Sequence, residues 1–537
     1  MMQSIQILRS ATLRAPCFHL TSQVQTWLKT IMGIIPLHFD MCVNTCLAYT
    51  GTFATLIECL FCGEQQYQQH LDIDSRTSHC QFVTISIGPQ LQALWWHPIS
   101  VAKLWDCLWH TTVLLAQHNT DGGIQDYNNI CCGAEYLDLV ESGQICDNNM
   151  LLVLSMDSAQ LYQDKKSDTW FGIATLIDFA PDICHAREMV LPLFIIGGPN
   201  APKNYDSFLF LTFAHLSACQ TLGLWIWDTS RQASFNICPW FGFGTADMVG
   251  MVELNRWVSH HSRNGCQVLC SMPGHHKPGI GTYYPTMLKP HGSIPPGSAH
   301  PDIDINLITT PSLDKYSKKL HLVLGSTSTQ EFMQHHRETG ICKPSIVSVL
   351  PKSIPVPKCF PADTMHLFAL NIPQPLISLW HGNINHAQED DPTSWQFAVL
   401  HDDMVWKAYG ASVAGASLYL PVCLESRVPC NPANKISSGY KAVEYLVYIF
   451  VLCPALLYNL LPWKFYHHFC KLIFGMCIIL WYHKLKGDLL YKPKSKSNWT
   501  GICKCSLSSC SRPLAHYRKA PCWCLWYWGK LPSLRSS

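Results

Sequence analysis

The chain has 537 residues, of which 48% are hydrophobic and 14% charged, enough apolar content for several packed cores and too much for a disordered polar tail. With 38 basic against 36 acidic residues, the net charge of +2 gives no compositional sign of nucleic-acid binding, so any basic surface has to be local. The 27 Cys, 19 Trp and 26 His are heavy usage. The length and the lack of a clean signal peptide argue against a secreted disulfide scaffold; zinc sites in a reducing compartment and a coding region drifting without selection both account for it.

The first 39 residues hold Arg9, Arg14 and Lys29 and no acid. This is a weak presequence pattern, and a degraded leader over 1–37 explains it more simply. A Cys-paired segment follows, then a mixed stretch to about Asn149. Three apolar runs come next, at 150–155, 170–179 and 189–196, and read as buried strands. Residues 206–222 read as an amphipathic helix with Phe208, Leu211, Phe213, Leu216 and Leu222 at helical spacing. A further apolar run spans 235–243, and 248–260 looks helical. The order strand, strand, strand, helix, strand, helix is an α/β pattern with an antiparallel start.

From 273 to 361 the chain is rich in Pro, Gly, Ser and His, as expected of an insertion with long loops and some helix. Residues 445–463 form an uncharged stretch of 19 residues, broken by Pro454, and a shorter apolar stretch spans 472–482. The first reaches membrane-spanning length, but Pro454, Asn459, Lys464, His467 and His468 favour a buried helix pair over a membrane hairpin. After Asp488 there is no acid, while five Cys and four Trp occur without period, which fits an out-of-frame end better than a basic tail.

Four constellations could carry chemistry. Cys42-x3-Cys46 and Cys59-x2-Cys62-Gly63 offer four soft ligands on two tight turns, a zinc-ribbon spacing. Asp157 and Asp247 each end an apolar run; carboxylates at neighbouring strand ends can hold two divalent ions about 4 Å apart for phosphodiester chemistry. An Asp after a strand is more often a turn former. Cys266-x3-Cys270 with His275 and His276 spells a zinc knuckle, with chance as its equal. Asp363 and His366 put a carboxylate beside an imidazole.

Long strings around these residues resemble the CACTA-type (En/Spm) DNA transposases, fungal members in particular. They include FDMCVNTCLAYTG at 39–51, GPQLQALWWHP at 88–98, SMDSAQLYQDKKSDTW at 155–170 and GGPNAPKNYDSFLF at 197–210. GTADMVGM at 244–251, HHSRNGCQVLCSMPGHHKPG at 260–279, HPDIDI at 300–305, RETGICKPSI at 337–346, DTMHLFALN at 363–371 and NPANKISSGYKAVEYL at 431–446 continue the match in order, from about 38 to 478.

The resemblance implies a ribonuclease-H-like catalytic core with a large insertion, preceded by a zinc-ribbon-like segment. It also implies a nuclear protein that cuts and joins double-stranded DNA at transposon ends with Mg²⁺ or Mn²⁺, keeps structural Zn²⁺ and forms a homo-oligomer. On it, Asp157 and Asp247 match the first two acids, Cys266 and Cys270 the paired cysteines, and His366 the Met-His element. The implied division is a leader at 1–37, the zinc segment at 38–100, a connection at 101–148 and the first part of the core at 149–262. The insertion follows at 263–440, then an apolar helical region at 441–485 and a tail at 486–537.

Two departures stand out. Ser158 and Met248 follow the acids where the family has glycine, which predicts a backbone burden at both turns. The family's final Glu has no counterpart, because the match stops near 478. The chain therefore reads as a truncated or frameshifted copy without strand-transfer activity.

Overall fold

The computed structural model describes residues 33–485, apart from 69–75, 122, 125, 162–167, 278–279, 284–307, 310, 385–390, 421–428, 437–439 and 481–483. The leader up to 32, the HPDIDI string and the tail from 486 lie outside the described residues.

A seven-stranded sheet organises the first three hundred residues. Its strands are β1 (Pro36–Met41), β2 (Cys80–Ile85), β3 (Asn149–Ala159), β4 (Thr169–Leu176), β5 (Leu191–Ile196), β6 (Leu224–Asp228) and β7 (Ala233–Ala246), in the spatial order β1-β2-β5-β4-β3-β7-β6. All neighbours are antiparallel except β3 and β7, which run parallel. Mixed α/β architecture is thus present. The three expected strands and the helix after them appear where the apolar runs lie.

β3 and β7 read as unbroken apolar runs because both faces of the sheet are covered. Met150 to Leu154 are all buried, as are Ile237 to Gly244. α1 (Ile87–Trp96), α2 (Asp106–Asp121) and α3 (Tyr205–Leu222) pack around the sheet. Asn204 caps α3 by accepting the Ser207 amide, and Phe208, Leu209, Phe213 and Leu216 face the core. Each fully buried Phe contributes about 1.5–3 kcal/mol of transfer free energy. Leu222, expected on the buried face, is 78% exposed, since α3 ends there and the chain turns away at Gly223.

The expected helix over 248–260 is shorter. α4 (Met248–Asn255) stops at Arg256, which takes a left-handed conformation with φ 62° and donates its amide to the Val252 carbonyl. The Arg256 side chain then pairs with Asp206 at 2.7 Å and Glu253 at 2.6 Å, and Lys343 reaches Asp206 at 2.6 Å. This network locks the start of α3 to the end of α4.

Beyond the sheet, α5 (Leu313–Leu324) and α6 (Thr329–Thr339) form a capped helical hairpin, its N-caps Ser312 and Ser328. Residues 341–360 return to the sheet and complete the same hydrophobic core as far as Phe360. A second core begins at Phe368. It gathers α7 (Pro373–His381), α8 (Asp403–Gly415), a broken helical run from Ala442 to Leu456, and α9 (Trp463–Leu480).

The membrane-hairpin alternative for 445–482 is corrected here. No helix among the described residues is long and apolar enough to cross a membrane. Pro454 has no amide to donate, so the helix widens to a π-type turn over Tyr448–Leu452 just before it. Tyr445, Tyr448 and Phe450 of the run are buried in the second core, and the Tyr466 hydroxyl donates to the Pro454 carbonyl at 2.8 Å.

Arg256 is nearly buried and is held by two carboxylates, so Arg256→Ala leaves Glu253 without its partner and Asp206 with Lys343 alone. We expect a loss of about 3 kcal/mol in urea unfolding. A loss below about 1 kcal/mol would show that the network does not fix α4 against α3.

Candidate metal and carboxylate sites

The four thiols of Cys42, Cys46, Cys59 and Cys62 lie within 4.8 Å of one another. Two knuckles bring them there. In the first, Cys42 donates its amide to the Leu47 carbonyl and Thr45 turns left-handed at φ 59°. In the second, the Gly63 amide bonds the Cys59 carbonyl at 2.8 Å, with Gly63 at φ 72°, a conformation that glycine adopts without penalty.

Zinc with sulfur at about 2.3 Å spaces the corners of its tetrahedron about 3.8 Å apart, close to the 3.4 Å between the Cys42 and Cys62 sulfurs. The cluster could hold a metal ion such as zinc, and the soft donor set suits it. The Asn44 amide and side chain donate to the Cys42 and Cys62 sulfurs, at 3.4 and 3.6 Å. Burial pushes Cys42 up, and pushes Cys46 up to about 11. At Cys62 burial opposes ionisation, but hydrogen bonds from the Glu64 amide, Asn44 and the neighbouring thiols outweigh it and bring the thiol down to about 7.

The zinc-type segment extends the sheet. β2 pairs with β5, and the Cys46 carbonyl accepts the Lys203 and Asn204 amides at 3.1 and 2.9 Å. Ser207 of α3 accepts the Ala48 amide at 2.9 Å, and its own carbonyl accepts the Thr50 hydroxyl. Gly198 is required by this docking, since a Cβ there would lie 1.9 Å from the Thr45 hydroxyl.

Asp157 and Asp247 follow the last register pair of β3 and β7, Met156 opposite Ala246. Adjacent strands lie about 4.8 Å apart, so the two aspartates are neighbours across the ladder, and Asp247 is close enough to raise the Asp157 carboxyl. Asp157 is exposed; one of its oxygens accepts the Ser158 amide at 2.7 Å. Asp247 is half-buried and caps α4 by accepting the Gly250 amide at 2.6 Å. The turn-former reading therefore describes Asp247 in part.

The backbone burden expected at Ser158 and Met248 is corrected: neither has a positive φ. Ser158 continues β3 opposite Trp170, and Met248 opens α4.

Asp363 and His366 join this end of the sheet. The Gly244 amide of β7 bonds the Cys359 carbonyl at 2.9 Å, and the chain then carries Asp363 to the same rim. The Asp363 carboxylate accepts from both the His366 ring and, at 3.0 Å, the His366 amide. Partial burial raises the Asp157 carboxyl, the Ser158 amide lowers it, and Asp247 and Asp363 add repulsion. The hydrogen bond to Asp363 raises His366, with Asp247 and Asp157 assisting. The acids form a looser group than the thiols, which are the only set of three or more donors gathered within 4.8 Å among the described residues.

Cys266 and Cys270 also meet. The hydrogen bond from Cys270 lowers the Cys266 thiol to about 6 and pushes Cys270 up. No third metal donor joins them among the described residues. The intervening Gln267 accepts the Asp363 amide at 3.1 Å, so this turn props the acidic rim. His275 and His276 start the short strand His275–Lys277, and the side chain of His276 lies outside the described residues.

Metal analysis of the purified chain should find one zinc, lost in Cys59→Ser; a zinc-free chain of unchanged melting temperature would sink the assignment. Histidine NMR titration tests the acidic rim. His366 titrates above its ordinary value, so the stability it contributes is fully present below about pH 6.5 and fades as pH rises through the raised value. Asp363→Asn should return the midpoint toward 6.5, and an unmoved midpoint would contradict the pair. Comparison with known protein families and with curated proteins finds no match to this chain.

Proposed function

We propose that this chain is a transposase-derived protein of the CACTA type whose carboxylate rim binds divalent metal and works on double-stranded DNA. The observation that carries the reading is the side-by-side placement of Asp157 and Asp247 at the carboxyl ends of the one parallel strand pair in the sheet. Three antiparallel strands, a helix and then, after the short strand β6, a strand returning parallel to the first support in part the ribonuclease-H-like core that the resemblance implies.

The donor set fits Mg²⁺ or Mn²⁺. Both ions prefer carboxylate oxygen, Asp157 is open to solvent, and one oxygen of Asp247 is free of the α4 cap bond. A bound divalent ion would supply Lewis acidity toward a phosphodiester. Asp157 has to be ionised to ligate, and the repulsion from Asp247 and Asp363 that raises it is relieved by a cation. His366, when protonated against Asp363, would hold positive charge at the same rim and suit a phosphate oxygen. The reading places the protein in the nucleus as a homo-oligomer on paired DNA ends.

A second reading is a DNA-binding or interaction protein without catalysis. It is favoured by the contrast between the tightly gathered thiols and the looser acids. Mn²⁺ titration separates the two. Binding at micromolar to millimolar concentration, weakened at least tenfold by Asp157→Ala, is expected, together with salt-sensitive duplex binding and no strand transfer. Absence of both metal and duplex binding would defeat the first reading. Duplex binding that survives Asp157→Ala and needs no Mn²⁺ would favour the second.

A further inference from the structure

At the opposite end of β3 from the acids lies a cavity of about 110 Å³ between α2 and the sheet. Its walls are aromatic: Trp95, Trp105, Tyr136, Phe235 and Trp240. Trp95 stands edge-on to both Trp105 and Phe235, at 5.3 and 5.0 Å between ring centroids, so the walls meet at steep angles. The turn at 146–148 is exposed and forms the mouth.

The lining mixes apolar and polar groups, and two of the polar ones matter here. Trp240 is only 5% exposed, and its indole N–H has no acceptor. A buried donor left unpaired costs about 1–3 kcal/mol. Asp178 is the other. Its carboxylate accepts the Leu151 amide at 2.9 Å, and Leu151 is the register partner of Trp240. Donor and acceptor therefore come from the chain on either side of Leu151. Burial raises the Asp178 carboxyl to about 7, so it accepts from a donating ligand once ionised, above that pH.

We propose that this cavity binds a small planar lactam ring, a carbonyl beside a ring N–H, as in a free pyrimidine base. The carbonyl would accept from Trp240, the ring N–H would donate to Asp178, and the ring faces would lie against the aromatic walls. A dry apolar cavity of about 150 Å³ takes a benzene ring; this one is smaller but opens at 146–148, so a pyrimidine ring would sit partly in the mouth. The site is independent of the carboxylate rim and of any action on DNA.

Calorimetric titration of the full chain with uracil tests it, with benzene as the ring that lacks the polar edge. Uracil is expected to bind at least tenfold more tightly than benzene. Trp240→Phe, which keeps the ring and deletes the N–H, should weaken uracil at least tenfold while leaving benzene binding within twofold. Retained benzene binding by the variant reports that the cavity is still formed. No uracil binding by the folded wild-type chain, equal affinity for the two rings, or undiminished uracil binding by Trp240→Phe would overturn the proposal.

Discussion

The structure depends on one pairing, the parallel ladder between β3 and β7. Parallel neighbours cannot be joined by a tight turn, so the chain must leave β3, build β4 and β5, cross over through α3 and return. Everything in the first core is placed by that excursion. The ladder also contains a bulge: Leu152 faces Phe241, but Val153 faces Phe243, with Gly242 as the extra residue. A Cβ at Gly242 would come within 3.0 Å of the Leu152 carbonyl, so the bulge needs a bare backbone there. Because strand side chains alternate with period two, removing this residue would turn Asp247 to the other face relative to Asp157. The adjacency of the two acids is set five residues upstream of Asp247, by one glycine.

The thiol cluster solves a different problem. Between Cys42 and Cys62 the apolar cluster is small: Leu47, Tyr49 and three of the four cysteines, with Phe53 and Leu56 packed beside them. That is little apolar surface to order two knuckles, and metal–sulfur bonds would supply what such a core cannot. Its docking through Cys46, Thr50 and Ser207 fastens the knuckles to the N-terminus of α3. The same turn of α3 carries Asp206, which holds Arg256 and thereby α4. The zinc-type site and the cap that positions Asp247 are thus built onto one helix end.

What could be read from the sequence was local. Unbroken apolar runs gave β3, β4 and β5 because both faces are covered, and the Cys spacing gave the four thiols because the knuckles are short. β6 escaped notice: its alternation of exposed Trp225 and Trp227 with buried Ile226 and Asp228 spans five residues directly after a helix. The approach of Asp363 could not be read either. It depends on hydrogen bonds from Phe241 and Gly244 to the segment around Lys352 and Cys359, more than a hundred residues later. Nor does the apolar run at 445–463 declare its solvent, because a helix buried among Tyr409, Trp380 and Phe469 has the same composition as one buried in lipid.

The acidic rim has one remaining property that follows from its geometry. Asp157, Asp247 and Asp363 face one another around a single imidazole. Protonated, His366 offsets one of these charges and stabilises the rim at low pH. Above its raised midpoint the rim becomes a set of mutually repelling carboxylates, and the cost falls on Asp157, the member most open to solvent. A divalent cation bound there, as proposed, would relieve the same repulsion as the His366 proton, and each would weaken the demand for the other. Metal affinity at this end should rise with pH for two reasons that act together: the carboxylates ionise, and the competing positive charge departs.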